Sequence, residues 1–268
     1  MSVRNRELAS FLKSRRKRLT PADVGLPEHA KRRLASLRRE EVAWLADVGI
    51  TWYTWLEQGR RIRASADTLE RIAGVLRLDA SEREYLKKLV QSHDNGQASW
   101  SFAVPDRVRL LIESYEAGPA FVMGARWDVL ACNSRFATLF RFKERNPGLE
   151  RNALWSMFTW PAMRLLFPRW LESARQMVGS FRVTYADFVG DTGFEDLIRE
   201  LLTKSAEFAS MWSNVDVVSP MRWSIGELRD PQTGVTTAFE TVNFSVPDGC
   251  NQTAVFFCPR NKGGIAQH

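Results

Sequence analysis

Two groups of side chains in this sequence have types and spacings suited to chemistry with a partner. The first lies in LRREEVAWLADVGITWYTWLEQGRR, residues 37–61. Here Thr51, Trp52, Thr54, Trp55 and Gln58 share one side of a helical repeat, with Gly49 and Ile50 at its start. A Gln amide can hydrogen-bond adenine in two places, and Thr or Trp can lie against a thymine methyl. Arg39, Arg60 and Arg61 add charge suited to phosphates. Such a set reads a groove only when a helix carries it and a second helix braces it. Val42, Leu45 and Ala46 give the brace a buried stripe, and Ile50, Tyr53 and Leu56 give one to the reading helix. Ala43 is small enough to let the two backbones approach. Gly49 falls at the cap of the second helix without an oxygen to offer, so tertiary packing must help fix that end, and Gly59 marks the stop. The pattern is that of a helix-turn-helix facing double-stranded DNA. Two core helices of another bundle would share the spacing, but the flanking charge favours DNA.

The second group is aromatic: Trp127, Phe136, Phe140, Trp155, Phe158, Phe167, Trp170, Phe208 and Trp212, followed by Phe239 and Phe244. Most rings at helical spacing are core. So many beside one sheet also leave room for an apolar cavity, and ligand pockets are mostly apolar with a few polar anchors. The cavity is expected between helices over 153–178 and 194–212 and a sheet that includes 127–132 and 236–246. Burying an acyl chain there would contribute about 0.8 kcal/mol per CH₂ before ordering costs. Arg164, Arg169 and Arg175 lie on the same helical stretch. Each either faces water or anchors an anionic head group, and Arg169 is the one taken as a ligand-binding candidate.

Catalytic machinery is missing by comparison. The three histidines, His29, His93 and His268, fall in a loop, a linker and the last position. No nucleophile elbow, phosphate loop or dinucleotide glycine pattern occurs. Carboxylates such as Glu195 and Asp196 are adjacent and so point apart on a helix. Cys132, Cys250 and Cys258 form no CxxC, which supports neither zinc nor a disulfide framework. Met123, Met157, Met163 and Met177 read as core filling, with haem ligation the minor alternative. The expectation is a non-enzyme with no cofactor or metal, beyond a possible bound fatty acid or similar apolar ligand. No apolar run approaches the ~20 residues that span a bilayer, so the chain reads as cytoplasmic and without a membrane partner.

Charge divides the 268 residues. Residues 1–92 hold 20 Lys/Arg against 12 Asp/Glu, and the remainder 18 against 19, so the excess that gives the net +7 lies in the first third. A polyanion is the partner of that part alone. Five helical segments are expected there. The first ends in the basic run Ser14–Arg18, and a breaker-rich loop with Lys31-Arg32-Arg33 follows it; phosphate contact and a solvated face are equal readings of that run. Ser65 and the Asp79–Glu82 box open the last two helices. Residues 93–104 read as linker, and 105–262 as a second domain. In it, strands over 120–123 and 127–132 precede helical pattern at 153–158, 162–178 and 194–212, and a three-strand meander over 223–229, 236–246 and 252–258 closes it. The fold class is therefore an all-α helix-turn-helix bundle followed by an α+β domain with an antiparallel sheet.

LRREEVA, YTWLEQGR and the later WDVLACN resemble the MmyB-like branch of lambda-repressor-type transcription regulators over nearly the whole chain. That resemblance implies a PAS-like ligand-binding domain and makes a fatty-acid-like ligand plausible. Gly49 stands where the family commonly has Ser, and Val215 where a His commonly follows the late Trp. The function expected is sequence-specific regulation of transcription, with the second domain sensing a small apolar molecule; a second domain that only dimerises or binds another protein is the alternative, and an enzyme with a DNA-targeting domain the remote one. A homodimer is expected, because one short recognition helix reads too few bases to be selective.

Overall fold

A computed structural model of the chain describes residues 1–27, 35–60, 62, 64–90, 100–218, 226–247 and 251–260. Five helices come first: α1 (Val3–Arg18), α2 (Arg39–Leu45), α3 (Ile50–Glu57), α4 (Ala66–Val75) and α5 (Ala80–Val90). Local signals set their ends. The Ser65 hydroxyl accepts the Thr68 N–H at 3.1 Å, and Asp79 and Glu82 exchange side-chain-to-backbone bonds at 2.9 and 3.0 Å. Phe11, Leu12, Val42, Tyr53, Ile72 and Tyr85 meet at the centre of the bundle. Gly59 has φ +70°, and a Cβ there would stand 2.7 Å from the Asn5 carbonyl oxygen. It is thus required both for the left-handed turn after α3 and for the close passage of α1.

The basic run at the end of α1 divides, with Lys17 and Arg18 exposed and the two arginines before them turned inward. Arg15 and Arg16 are buried. Arg15 pairs with Glu82 at 2.7 Å and donates to the Val215 carbonyl at 2.8 Å, while Arg16 holds Glu57. Arg18 pairs with Asp216. Arg15 and Arg16 thus join helices, which removes those two charges from the DNA-facing account. The Lys31–Arg33 cluster, the three histidines, Cys250 and the greater part of the expected linker lie outside the described residues.

The second region opens with α6 (Asp106–Ser114), then β1 (Ala120–Met123) and β2 (Val129–Cys132). Asn133 locks this start. Its amide oxygen caps α7 (Ser134–Leu139) through the Phe136 N–H at 2.9 Å and also accepts the Ala120 N–H, and its amide nitrogen donates to the Tyr115 and Gly118 carbonyls. The strand expected from Trp127 begins only at Val129, because Gly124–Asp128 forms the turn and Trp127 takes φ +69° within it. Helices α8 (Ala153–Thr159), α9 (Ala162–Leu166), α10 (Trp170–Tyr185), α11 (Thr192–Lys204) and α12 (Ala206–Ser213) follow. The two long helical patterns of the sequence are each broken. Pro168 separates α9 from α10, since the residue before a proline is driven out of the helical region, and Ser205 turns the chain and caps α12 through Phe208.

Strands β3 (Gly226–Arg229), β4 (Thr236–Ser245) and β5 (Thr253–Pro259) complete a five-stranded antiparallel sheet in the order β2-β1-β5-β4-β3. The described part of the second region is thus α+β, as its pattern implied. One sheet face carries Phe121, Val255, Phe257 and Phe239 against the helices, and the other carries Ala120, Val122, Ala254 and Phe256 against α6. The two regions share a core. Val183, Ala186, Val215 and Val217 pack in the same cluster as Phe11, Leu12 and Tyr85 of the helical bundle. Among the described residues, no helix is long and apolar enough to cross a membrane.

Candidate DNA-binding and ligand-binding sites

Between α2 and α3 the chain turns through Asp47, which takes φ +51°, and the Val48 N–H returns to the Ala43 carbonyl at 3.0 Å. Ala43 is buried at this crossing, and Leu45 is only half-buried, so Val42, Ala43 and Ala46 form the stripe. Gly49 is extended and gives α3 no side-chain cap. What fixes α3 is its far end. The Glu57 carboxylate is fully buried and takes Arg16 at 2.5 and 3.0 Å, Arg39 Nε at 2.6 Å and the Tyr53 hydroxyl at 3.0 Å. Burial alone would push its pKa up, but the bonds to Arg16, Arg39 and Tyr53 outweigh this and hold it below the usual carboxylate range. Its own burial, and then the same carboxylate, push the Tyr53 phenol well up, so it remains a donor. One anion thereby ties α1, α2 and α3 together.

With Tyr53, Leu56 and Glu57 turned inward, Thr51, Trp55 and Gln58 are exposed along the opposite side of α3, and Trp52 and Thr54 are half-buried beside them. Ile50 is 44% exposed, so it belongs with the outward set and not with the stripe expected of it. The Arg60 guanidinium lies 5.3 Å from the centroid of the Trp55 ring, which extends the exposed surface. Arg39 is partly committed to Glu57, and Arg61 lies outside the described residues. Trp44 on α2 is 72% exposed and was not singled out by its spacing, although its place beside the buried Ala43 and Val42 already turns it away from the core.

In the second region, a cavity of about 40 Å³ lies between β1, β2 and β5 and helices α7 to α10. Of the expected lining residues, Phe136, Phe140 and Phe167 reach it. Trp127, Phe158, Trp170, Phe208 and Phe239 are buried in the surrounding core, with Trp155 and Trp212 packed at its edge. Helices α11 and α12 contribute no lining. Phe244 is 57% exposed on the opposite face of the sheet, and Arg169 projects to the surface beside Glu172 at 3.4 Å. The wall instead includes Phe121, Phe257, Met157, Met163 and Met177, with Ser156 and Arg145 as its polar members. Arg145 carries no signal in the sequence, because it stands in a polar stretch with no helical or strand periodicity. At roughly 10–15 Å³ per water the cavity is small, and an organic ligand must displace side chains to enter. The three methionines are the side chains best able to yield.

Further hollows lie among the described residues, and one of about 580 Å³ at the start of α10 has Arg169, Trp170 and Arg175 in its wall. Another of about 260 Å³ between α10 and the sheet is lined by Trp127, Ser180, Thr184, Asn243 and Thr253 among others, and an open groove of about 870 Å³ runs between α7 and the β3–β4 turn. None of these gathers the aromatic set. Among the described residues no cluster of three or more His, Cys, Asp or Glu side chains is placed to hold a metal ion. Cys132 is half-buried, and burial pushes its thiol up to about 11 although Arg151, Lys143 and Arg145 pull the other way. Such a thiol is a packing group at neutral pH.

Comparison with known families assigns both regions. Residues 7–86 match a helix-turn-helix domain, and residues 104–263 match the ligand-binding domain of MmyB-like transcription regulators. No protein of curated function matches the chain. Transcription regulators of this kind are not enzymes, so the chain binds DNA through its first region and a ligand through its second. The exposed face of α3 lies within the first matched region and the aromatic-walled cavity within the second, and the chain is a member of the MmyB-like transcription regulator family.

Proposed function

We propose that the protein reads a specific two-fold DNA site with α3 and adjusts that reading to a small apolar molecule, of the fatty-acid-like kind the family resemblance suggests, in the second region. The observation that carries the DNA half is the division of α3. Tyr53 and Leu56 are buried while Thr51, Trp55 and Gln58 present a continuous exposed surface one turn apart. Gln58→Ala should cost about 1–3 kcal/mol of operator affinity and relax preference at one base pair. Arg60→Ala should instead weaken binding to all sequences and reduce the salt slope by about one unit. Gel-shift titrations on a selected operator distinguish these outcomes. Unchanged affinity and preference in a Gln58→Ala, Trp55→Ala double variant would remove α3 as the reading element.

We infer that a homodimer is the binding form. One recognition helix covers too few base pairs for selectivity, and Phe244 and Val242 on the outer sheet face and Leu110 and Leu111 of α6 are all exposed. Light scattering should give a dimer on DNA, with half-sites about one helical turn apart. Phe244→Glu should shift the free protein towards monomer; a monomer both free and on its best site would refute the dimer.

A further inference from the structure

Arg145 has no carboxylate in ion-pair contact among the described residues, although Glu150 acts on it through space. The residue is 8% exposed, and among the described residues no carboxylate lies within 4 Å of its guanidinium. Its Nη1 donates to the Ser156 hydroxyl at 2.6 Å and to the Glu150 carbonyl at 3.3 Å, and its Nη2 donates to the Phe140 carbonyl at 2.9 Å. The Nε–H is buried without a partner. The guanidinium stacks 4.0 Å from the Trp160 ring centroid, and Arg151 stands over Phe142 nearby, its own Nε also buried and unpartnered. The acid next in sequence range, Glu150, spends its carboxylate on Asn146 at 2.8 and 2.9 Å. Burial pulls the Arg145 pKa down to about 10, which still leaves the side chain a cation at neutral pH.

A buried guanidinium without an ion-pair partner is costly, and carbonyl and hydroxyl dipoles and the more distant Glu150 offset only part of that cost. The other buried arginines among the described residues are treated differently: Arg15, Arg16 and Arg182 each have a glutamate within 3.0 Å. Arg145 is also the one of these four that lines the cavity. Opposite it stand the rings of Phe121, Phe136, Phe140 and Phe167 and the sulfur-bearing chains of Met157 and Met163.

We propose that Arg145 is the anchor for the charged end of the ligand, which is a compact organic acid whose carboxylate meets the guanidinium while an aromatic or short alkyl body displaces the methionines. This rests on the ligand-binding reading above and adds the charge and the size of what binds. A carboxylate supplies the missing ion-pair partner and an acceptor for the free Nε–H, and a flat or short body suits a small cavity walled by phenylalanine and methionine.

The test compares phenylacetate with its neutral counterpart phenylethanol on the full-length protein at neutral pH, by thermal shift and by quenching of tryptophan fluorescence. Phenylacetate should bind about tenfold more tightly, the order expected for one charge-assisted hydrogen-bonded contact. Arg145→Met should abolish or reverse that preference, and Arg145→Lys should keep its direction. Equal binding of acid and alcohol by the unaltered protein would overturn the anchor while leaving the cavity as a ligand site, and this comparison needs no variant to fold. A preference that survives Arg145→Met would overturn it as well. Tighter binding of decanoate than of phenylacetate would overturn the compact body. If neither acid nor alcohol binds, and Phe136→Trp changes nothing, the cavity itself is not the ligand site.

Discussion

Glu57→Gln should destabilise the protein by about 3 kcal/mol and abolish specific DNA binding with it. The substitution preserves shape and removes charge. Four donor bonds from three side chains converge on this carboxylate, and Arg16 is itself buried. A neutral amide would leave that guanidinium uncompensated and would turn its own NH₂ group towards donors. Because Arg16 belongs to α1, Arg39 to α2 and Tyr53 to α3, the loss also frees the recognition helix from its brace. The pH dependence carries the same sign. The folded carboxyl titrates below its ordinary value, so its contribution is complete above the unfolded value of about 4.3 and is lost as pH falls through the folded one. Urea denaturation at neutral pH should therefore separate the variant from the unaltered protein, and the difference should narrow in acid. A variant of unchanged stability at neutral pH would show that the cluster contributes nothing net.

The helix-turn-helix was legible because its signals are local: the apolar spacing of α2 and α3, the Ser65 cap and the Asp79–Glu82 box each lie within a few residues. The strands were legible for the same reason. Charge was not. Ser14–Arg18 looks identical whether it faces phosphate, water or the interior, and the partners that decide the matter, Glu57, Glu82 and Val215, are distant in sequence. Arg145 was hidden likewise, since an arginine among Lys143, Glu144 and Asn146 gives no sign of burial. One error in the aromatic set was avoidable. Phe239 and Phe244 are five positions apart on β4, and an odd separation on a strand puts two side chains on opposite faces; when Phe239 packs inward, Phe244 must point away. The size of the cavity was beyond any sequence reading, because it depends on how rings from α7, α9, β1 and β5 interlock.

Arg182→Met should uncouple the two regions, at a cost of about 3 kcal/mol to the intact protein. Arg182 is buried near the middle of the boundary. It pairs with Glu7 of α1 at 3.0 Å, donates to the Trp212 carbonyl and lies 3.8 Å from the centroid of the Trp212 ring. Glu7 in turn accepts the Tyr85 hydroxyl of α5 at 3.2 Å. Around this pair the contact is apolar, through Val183, Ala186, Val215 and Val217, and Lys88 meets Asp187 at its rim at 2.7 Å. Val215 holds φ +57°, a conformation a β-branched residue rarely takes, and its burial and the Arg15 bond to its carbonyl keep it there. A core that runs through both regions melts as one, so calorimetry of the unaltered protein should give a single transition. Arg182→Met should split it, with the helical bundle and the sheet-bearing region melting separately. In the single-transition protein a ligand that binds only the folded second region also raises the melting temperature of the DNA-binding bundle, and in the variant it should raise only one of the two. Two transitions in the unaltered protein would mean that the regions are thermodynamically separate, and the shared core would then be no route by which a ligand could reach α3.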